Sequence, residues 1–122
     1  MDPLIHLEQG AFGYCESNVF TDLSLDLHRG SVFCLLGPNG CGKTTLLRCI
    51  GGAQSLRKGR VTLCGKDMRS IGETERARTL GFVFQEHHVL FPYTVLDVVK
   101  MGRAPYLGLF EVPGTHDTEV AE

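Results

Sequence analysis

No apolar run in the 122 residues exceeds the five from Val32 to Leu36. A membrane-spanning helix needs about 20, so any membrane role is expected to be peripheral. The N-terminus, Met1-Asp2-Pro3-Leu4-Ile5-His6, has no basic segment leading into an apolar stretch, which argues against a signal peptide. No C-x-x-C pair occurs among Cys15, Cys34, Cys41, Cys49 and Cys64. An odd, unpatterned set reads as reduced thiols in a cytosolic compartment rather than a zinc or disulfide framework. Cys34 and Cys64 lie in strand-like apolar runs, where free Cys packs as a small hydrophobe. Net basic charge is lacking too. The balance is −2, which speaks against nucleic acid as the main partner.

What is abundant is glycine, 15 of 122 residues, with neither the G-x-y period of collagen nor the Gly/Ser runs of a linker. The glycines must serve local backbone geometry. Charge is also uneven. Residues 1–42 hold one Arg against five acids, residues 43–78 hold nine Lys/Arg against three acids, and residues 111–122 hold four acids and no base. The basic middle is either a solvated helix face or an electrostatic neighbour of a polyphosphate site.

Leu4 to Leu7 reads as a first strand, and Leu23, Leu25 and Leu27 alternate with polar residues as in a half-buried strand. Val32 to Leu36 reads as a strand covered on both faces. Lys43 to Ile50 reads as a helix with Leu46, Leu47 and Ile50 on one face, stopped by Gly51-Gly52. Gly59 to Leu63 and Leu80 to Phe84 read as further strands. Glu73 to Arg78 reads as a short helix with Glu/Arg pairs at i,i+3 spacing. Thr94-Val95-Leu96-Asp97 outlines a capping box opening a helix to about Met101. Residues 102–114, with three Gly and two Pro, read as a loop. Asp117 to Glu122 looks like the acidic first turn of another helix. A helix with a start and no body suggests a chain that continues; a frayed acidic tail is the other reading.

One segment carries chemistry. Gly37-Pro38-Asn39-Gly40-Cys41-Gly42-Lys43-Thr44 fits G-x-x-x-x-G-K-[ST]. Its glycines allow tight turning and bring backbone N–H groups close to phosphate oxygens. The helix that follows presents unpaired N–H groups and partial positive charge to the same anion. Lys43 can reach β- and γ-phosphates, and the Thr44 hydroxyl can ligate Mg²⁺. An apolar segment precedes the loop and an amphipathic helix follows it, as the motif requires. Thr45 extends the binding set. Cys41, at a helix N-terminus, is either a redox-sensitive thiol or an occupant of a loop position that tolerates many residues.

With VFCLL before it, the loop GPNGCGKTTLL resembles the ATP-binding subunits of ABC transporters. Tyr14 stands 29 positions before Lys43, where that family places an aromatic that stacks on adenine; Phe12 is the competitor. Gln85 stands 42 positions after Lys43, at the place of the family's glutamine that senses Mg²⁺ and the attacking water. The stretch from Arg57 to Asp67 resembles the strand pair after the family's first helix. Phe91 to Val99 and Met101 to Gly108 resemble importers of ferric siderophores, haem and cobalamin.

The resemblance implies an α/β fold: a P-loop NTPase core of ABC ATPase type with an N-terminal antiparallel β subdomain. Residues 1–30 would start that subdomain, 31–90 would form the P-loop core, and 91–122 would open the helical subdomain. It also implies ATP and Mg²⁺, with Lys43 and Gln85 in catalytic positions. A second ATP-binding subunit would be one partner, and a membrane permease contacted near Gln85 to Thr94 the other. The place would be the cytoplasmic side of a membrane. The family's Leu-Ser-Gly-Gly-Gln signature, its apolar strand ending in Asp-Glu and its switch His do not occur in these residues. Ile50-Gly51-Gly52-Ala53-Gln54 mimics the signature but sits at the expected helix end, and His87 and His88 come too early to be the switch. Two rivals remain open: a non-transport ABC ATPase, and a non-catalytic module that binds nucleotide or a partner.

Overall fold

The N-terminal alternation builds more strand than Leu4 to Leu7. In a computed structural model, which describes residues 2–85 and 91–122, β1 runs Ile5–Tyr14 and pairs antiparallel with β2, Ser17–Leu27. Ile5 and Leu7 are buried at odd positions, whereas Gly10 and Phe12 are buried at even ones. The change of phase needs one extra residue. Register shifts between Leu7 and Gly10, where Gln9 takes φ +44°. This bulge keeps one face of β1 buried from Ile5 to Phe12. In β2, Leu23, Leu25 and Leu27 are half-buried between exposed neighbours, as the alternation predicts.

β3, Lys58–Leu63, pairs antiparallel with the other edge of β1, and β4, Lys66–Asp67, pairs with β3. The sheet has order β2-β1-β3-β4. Between β3 and β4, Cys64 and Gly65 take φ +51° and +78°. Two successive positive φ values match the right-handed strand twist in a two-residue hairpin. Cys64 therefore sits exposed on a turn and does not pack as a small hydrophobe, and Cys34 is exposed too. The buried thiol is Cys49, and burial raises its pKa.

α1 spans Lys43–Ile50. Its buried residues are Leu46, Cys49 and Ile50, while Leu47 is exposed. Spacing of three and four selects that face, and Leu47 lies about 100° away from Leu46. With Ile5, Leu7, Phe12, Val61, Leu63, Met68 and Ile71 they form the buried apolar set of the first of two units, Met1–Ile71.

The expected strand Val32 to Leu36 does not form. Its backbone has no ladder partner, and Val32 and Leu36 are 92% and 89% exposed. A strand buried on both faces is held by neighbours on each side, and among the described residues none pairs with it. Leu80 to Phe84 in the second unit likewise joins no strand ladder among the described residues, with Val83 91% exposed. The α/β core expectation thus meets a structure whose one described sheet is the antiparallel one.

The second unit, Gly72–Glu122, contains α2 (Glu73–Thr79), α3 (Val95–Met101) and α4 (Thr115–Ala121). The capping box is present at α3. The Thr94 hydroxyl oxygen accepts from the Asp97 N–H at 3.2 Å, and Asp97 accepts from the Thr94 N–H at 3.0 Å. Arg78 donates to the Pro105 carbonyl at 2.8 Å and lies 5.1 Å from the Tyr106 ring centre. His87 and His88 lie outside the described residues.

Candidate nucleotide site

Gly37 to Gly42 is an exposed to half-buried loop ending on α1. Gly40 and Gly42 take φ +81° and +99°. At Gly42, the N-cap, a Cβ would come 2.4 Å from Val19 Cγ1 of β2. Only glycine combines that backbone angle with that approach. The cap offers no side-chain acceptor, and the first turn of α1 carries no acidic residue. The N–H groups of Lys43, Thr44 and Thr45 therefore lack intrahelical acceptors, and no neighbouring carboxylate offsets their partial positive charge.

Lys43 folds back over the loop. Its ammonium donates to the Gly37 carbonyl at 2.7 Å and the Pro38 carbonyl at 2.6 Å, and lies 3.7 Å from Cys41 Sγ. Cys41 in turn leans over Gly37, where an added Cβ would meet its sulfur at 2.8 Å. The loop thus curls around a cation next to a helix N-terminus. This arrangement is suited to a polyphosphate, whose oxygens compete with the carbonyls for the ammonium. Asn39 and Thr44 are exposed in the same segment.

Tyr14 ends β1 and is brought to α1. Its hydroxyl lies 3.4 Å from Gln54 Oε1, with the Thr45 side chain nearby. The Thr45 side chain, then that of Gln54, lowers the Tyr14 pKa. Phe12 packs against Tyr14 edge-on, with ring centres 5.1 Å apart. Phe12 is 8% exposed and Tyr14 48%. Of the two aromatics, Tyr14 keeps ring surface for a ligand. Gln85 lies at an exposed bend in the second unit. Tyr14 and Thr45 are thus neighbours in the first unit, and Gln85 is described on its own. Gln54 is the residue that sequence reasoning passed over. Its partner is 40 positions away, and no local pattern signals it.

The family model described as ABC transporter matches residues 20–121. The chain belongs to the ABC transporter family. A probable iron chelatin transport ATP-binding protein of Helicobacter pylori is 32% identical over 111 residues, covering 90% of this chain and 44% of the relative. A sulfate/thiosulfate import ATP-binding protein of Burkholderia mallei is 50% identical over 82 residues, covering 66% of this chain and 22% of the relative. Among solved structures, a metal-chelate type ABC transporter in an inward-facing conformation matches with TM-score 0.79 and 32% identity, over 98% of this chain and 42% of that one. This ABC transporter chain therefore has the ABC ATPase fold and spans under half the length of these relatives. Among its described residues no helix is long and apolar enough to cross a membrane.

Proposed function

We propose that this chain is the nucleotide-binding portion of a transport ATPase subunit. The intact protein would hydrolyse ATP to drive uptake of a metal-chelate solute such as a ferric siderophore, haem or cobalamin. The observation that carries the ATP reading is the loop of Gly37 to Gly42 closed around the Lys43 ammonium at an uncapped helix start. The relative named for iron chelatin and the structure named for metal-chelate transport support the solute class; the sulfate relative marks the main alternative.

In this reading Lys43 exchanges its two carbonyl acceptors for β- and γ-phosphate oxygens. The loop and first-turn N–H groups, from Pro-flanked Asn39 to Thr45, hold the remaining phosphate oxygens. Tyr14 stacks on the adenine. The Thr44 hydroxyl would hold Mg²⁺, which would offset phosphate charge when bound; Gln85, in the second unit, is the other candidate ligand on the family resemblance alone. A glycine-lined loop with an ammonium, a hydroxyl and uncapped N–H groups fits this ligand. Partners would be a second ATP-binding subunit and a permease met near Gln85 to Thr94, of which residues 86–90 lie outside the described residues. The site of action would be the cytoplasmic face of a membrane.

The test is uptake into vesicles holding the intact subunit and its permease. ATP-dependent uptake of a ferric chelate, lost in Lys43→Ala, is expected. Uptake of sulfate in preference to the chelate would contradict the solute class. ATP turnover unchanged by Lys43→Ala would contradict the site.

A further inference from the structure

The segment that mimics a signature motif, Ile50 to Gln54, has a different part to play. α1 ends at Ile50, and the chain turns back on itself at once. The Gly51 N–H donates to the Leu47 carbonyl at 2.9 Å and the Gly52 N–H to the Cys49 carbonyl at 3.1 Å. Gly52 takes φ +74°. The N–H groups of Ala53 and Gln54 then both reach the Arg48 carbonyl, at 2.8 and 3.1 Å. Gln54 is thereby tied to the last turn of α1 rather than left on a free loop. From there its amide meets the Tyr14 hydroxyl, with Oε1 at 3.4 Å and Nε2 at 3.3 Å. Thr45, in the first turn of the same helix, lies near the same hydroxyl, and Phe12 braces the ring edge-on.

We infer that Gln54 is a positioning residue for nucleotide binding, fixing the Tyr14 ring to α1 so that the base platform and the phosphate loop are held by one helix. The inference rests on Tyr14 being the base platform. A tyrosine at the end of a hairpin would otherwise swing about two side-chain torsions, and a ligand would have to order it on binding. Gln54 touches neither base nor phosphate. It acts by removing that freedom beforehand. The amide is suited to this because it can accept from the phenol or donate to it.

The experiment compares MgATP with Mg-tripolyphosphate, which has no base, on the 122-residue chain and its variants. The parent is expected to prefer ATP. Tyr14→Ala is expected to cut that preference about tenfold, the scale of one base stacked on an aromatic ring. Gln54→Ala is expected to cut it about threefold, the scale of one exposed hydrogen bond, with tripolyphosphate affinity unchanged. Gln54→Glu, which still accepts from the phenol, is expected to restore most of the preference. Equal losses for both ligands in Gln54→Ala would mean that the end of α1 had merely loosened, and would overturn the proposal. A preference collapsed by Tyr14→Ala but untouched by Gln54→Ala overturns the positioning role alone. A preference untouched by Tyr14→Ala overturns the base platform and the inference with it.

Discussion

Asp117 accepts from Arg103 Nε at 2.8 Å with one carboxylate oxygen and from the Gly114 N–H at 3.0 Å with the other. One carboxylate thus fastens the loop after α3 to the start of α4. Arg103 also lies 4.5 Å from the Tyr106 ring centre, so the pair anchors an aromatic as well. The guanidinium first, then the Gly114 N–H, holds the Asp117 pKa below its usual value. A carboxylate depressed in the native state stabilises above its unfolded pKa, near 3.9 for Asp. That contribution is lost as pH falls through the lower native value. Asp117→Ala should therefore lower the thermal midpoint of the second unit at pH 7. The gap to the parent should shrink as both are acidified below about pH 4. Melting curves followed by circular dichroism check both statements, and a gap independent of pH would contradict them.

Gly42 yields a stability prediction. Alanine there must hold φ +99° and relieve a 2.4 Å approach to Val19 Cγ1. Gly42→Ala should cost about 1–3 kcal/mol from backbone strain, before the clash is counted. Adding Val19→Ala removes the clash but not the strain, so the double variant should recover only part of the loss beyond what Val19→Ala costs alone. Urea denaturation of the four chains measures this. Full recovery would show that the clash alone matters.

The segments Val32 to Leu36 and Leu80 to Phe84, outside any strand ladder among the described residues, expose apolar side chains, Val32, Leu36 and Val83 most of all. Such segments favour pairing between copies. The 122-residue chain is expected to self-associate in sedimentation experiments. Val83→Lys should reduce the association by adding charge to that stretch. A monodisperse parent with a cooperative melt would count against this.

The same 122 residues contain no Leu-Ser-Gly-Gly-Gln and no apolar strand ending in Asp-Glu. On the resemblance set out above, those elements supply the partner face of the nucleotide and the general base. The chain alone should bind Mg-nucleotide weakly and show no turnover above the Lys43→Ala background. Turnover that Lys43→Ala abolishes would refute this expectation.

Features set by near neighbours were legible in the sequence. The limits of α1, the capping box at Thr94 and Asp97, and the β3 strand follow from spacings of a few residues. The glycine loop is legible for the same reason, since its residues follow one another in the chain. Leu47 lies off the buried face because Cys49, a small apolar side chain, completes the stripe with Leu46 and Ile50. The Cys64 expectation follows Val61 and Leu63 on into the next residue, whereas Cys-Gly between two short strands fits a two-residue turn. The expected strands at Val32 and Leu80 depend on partners far along a chain, and apolar character alone does not supply them. The Tyr14–Gln54 and Arg103–Asp117 contacts close loops of 40 and 14 residues, and neither has a local signal.

The central claim is that the loop closed by Lys43 is a nucleotide site. Calorimetric titration of MgATP into the chain and its Lys43→Ala variant tests it most directly. The account predicts saturable binding in the parent, weakened by about tenfold or more in the variant, as expected for loss of a charge-assisted contact. Binding of equal strength in both, or none in a folded parent at saturating nucleotide, would contradict it.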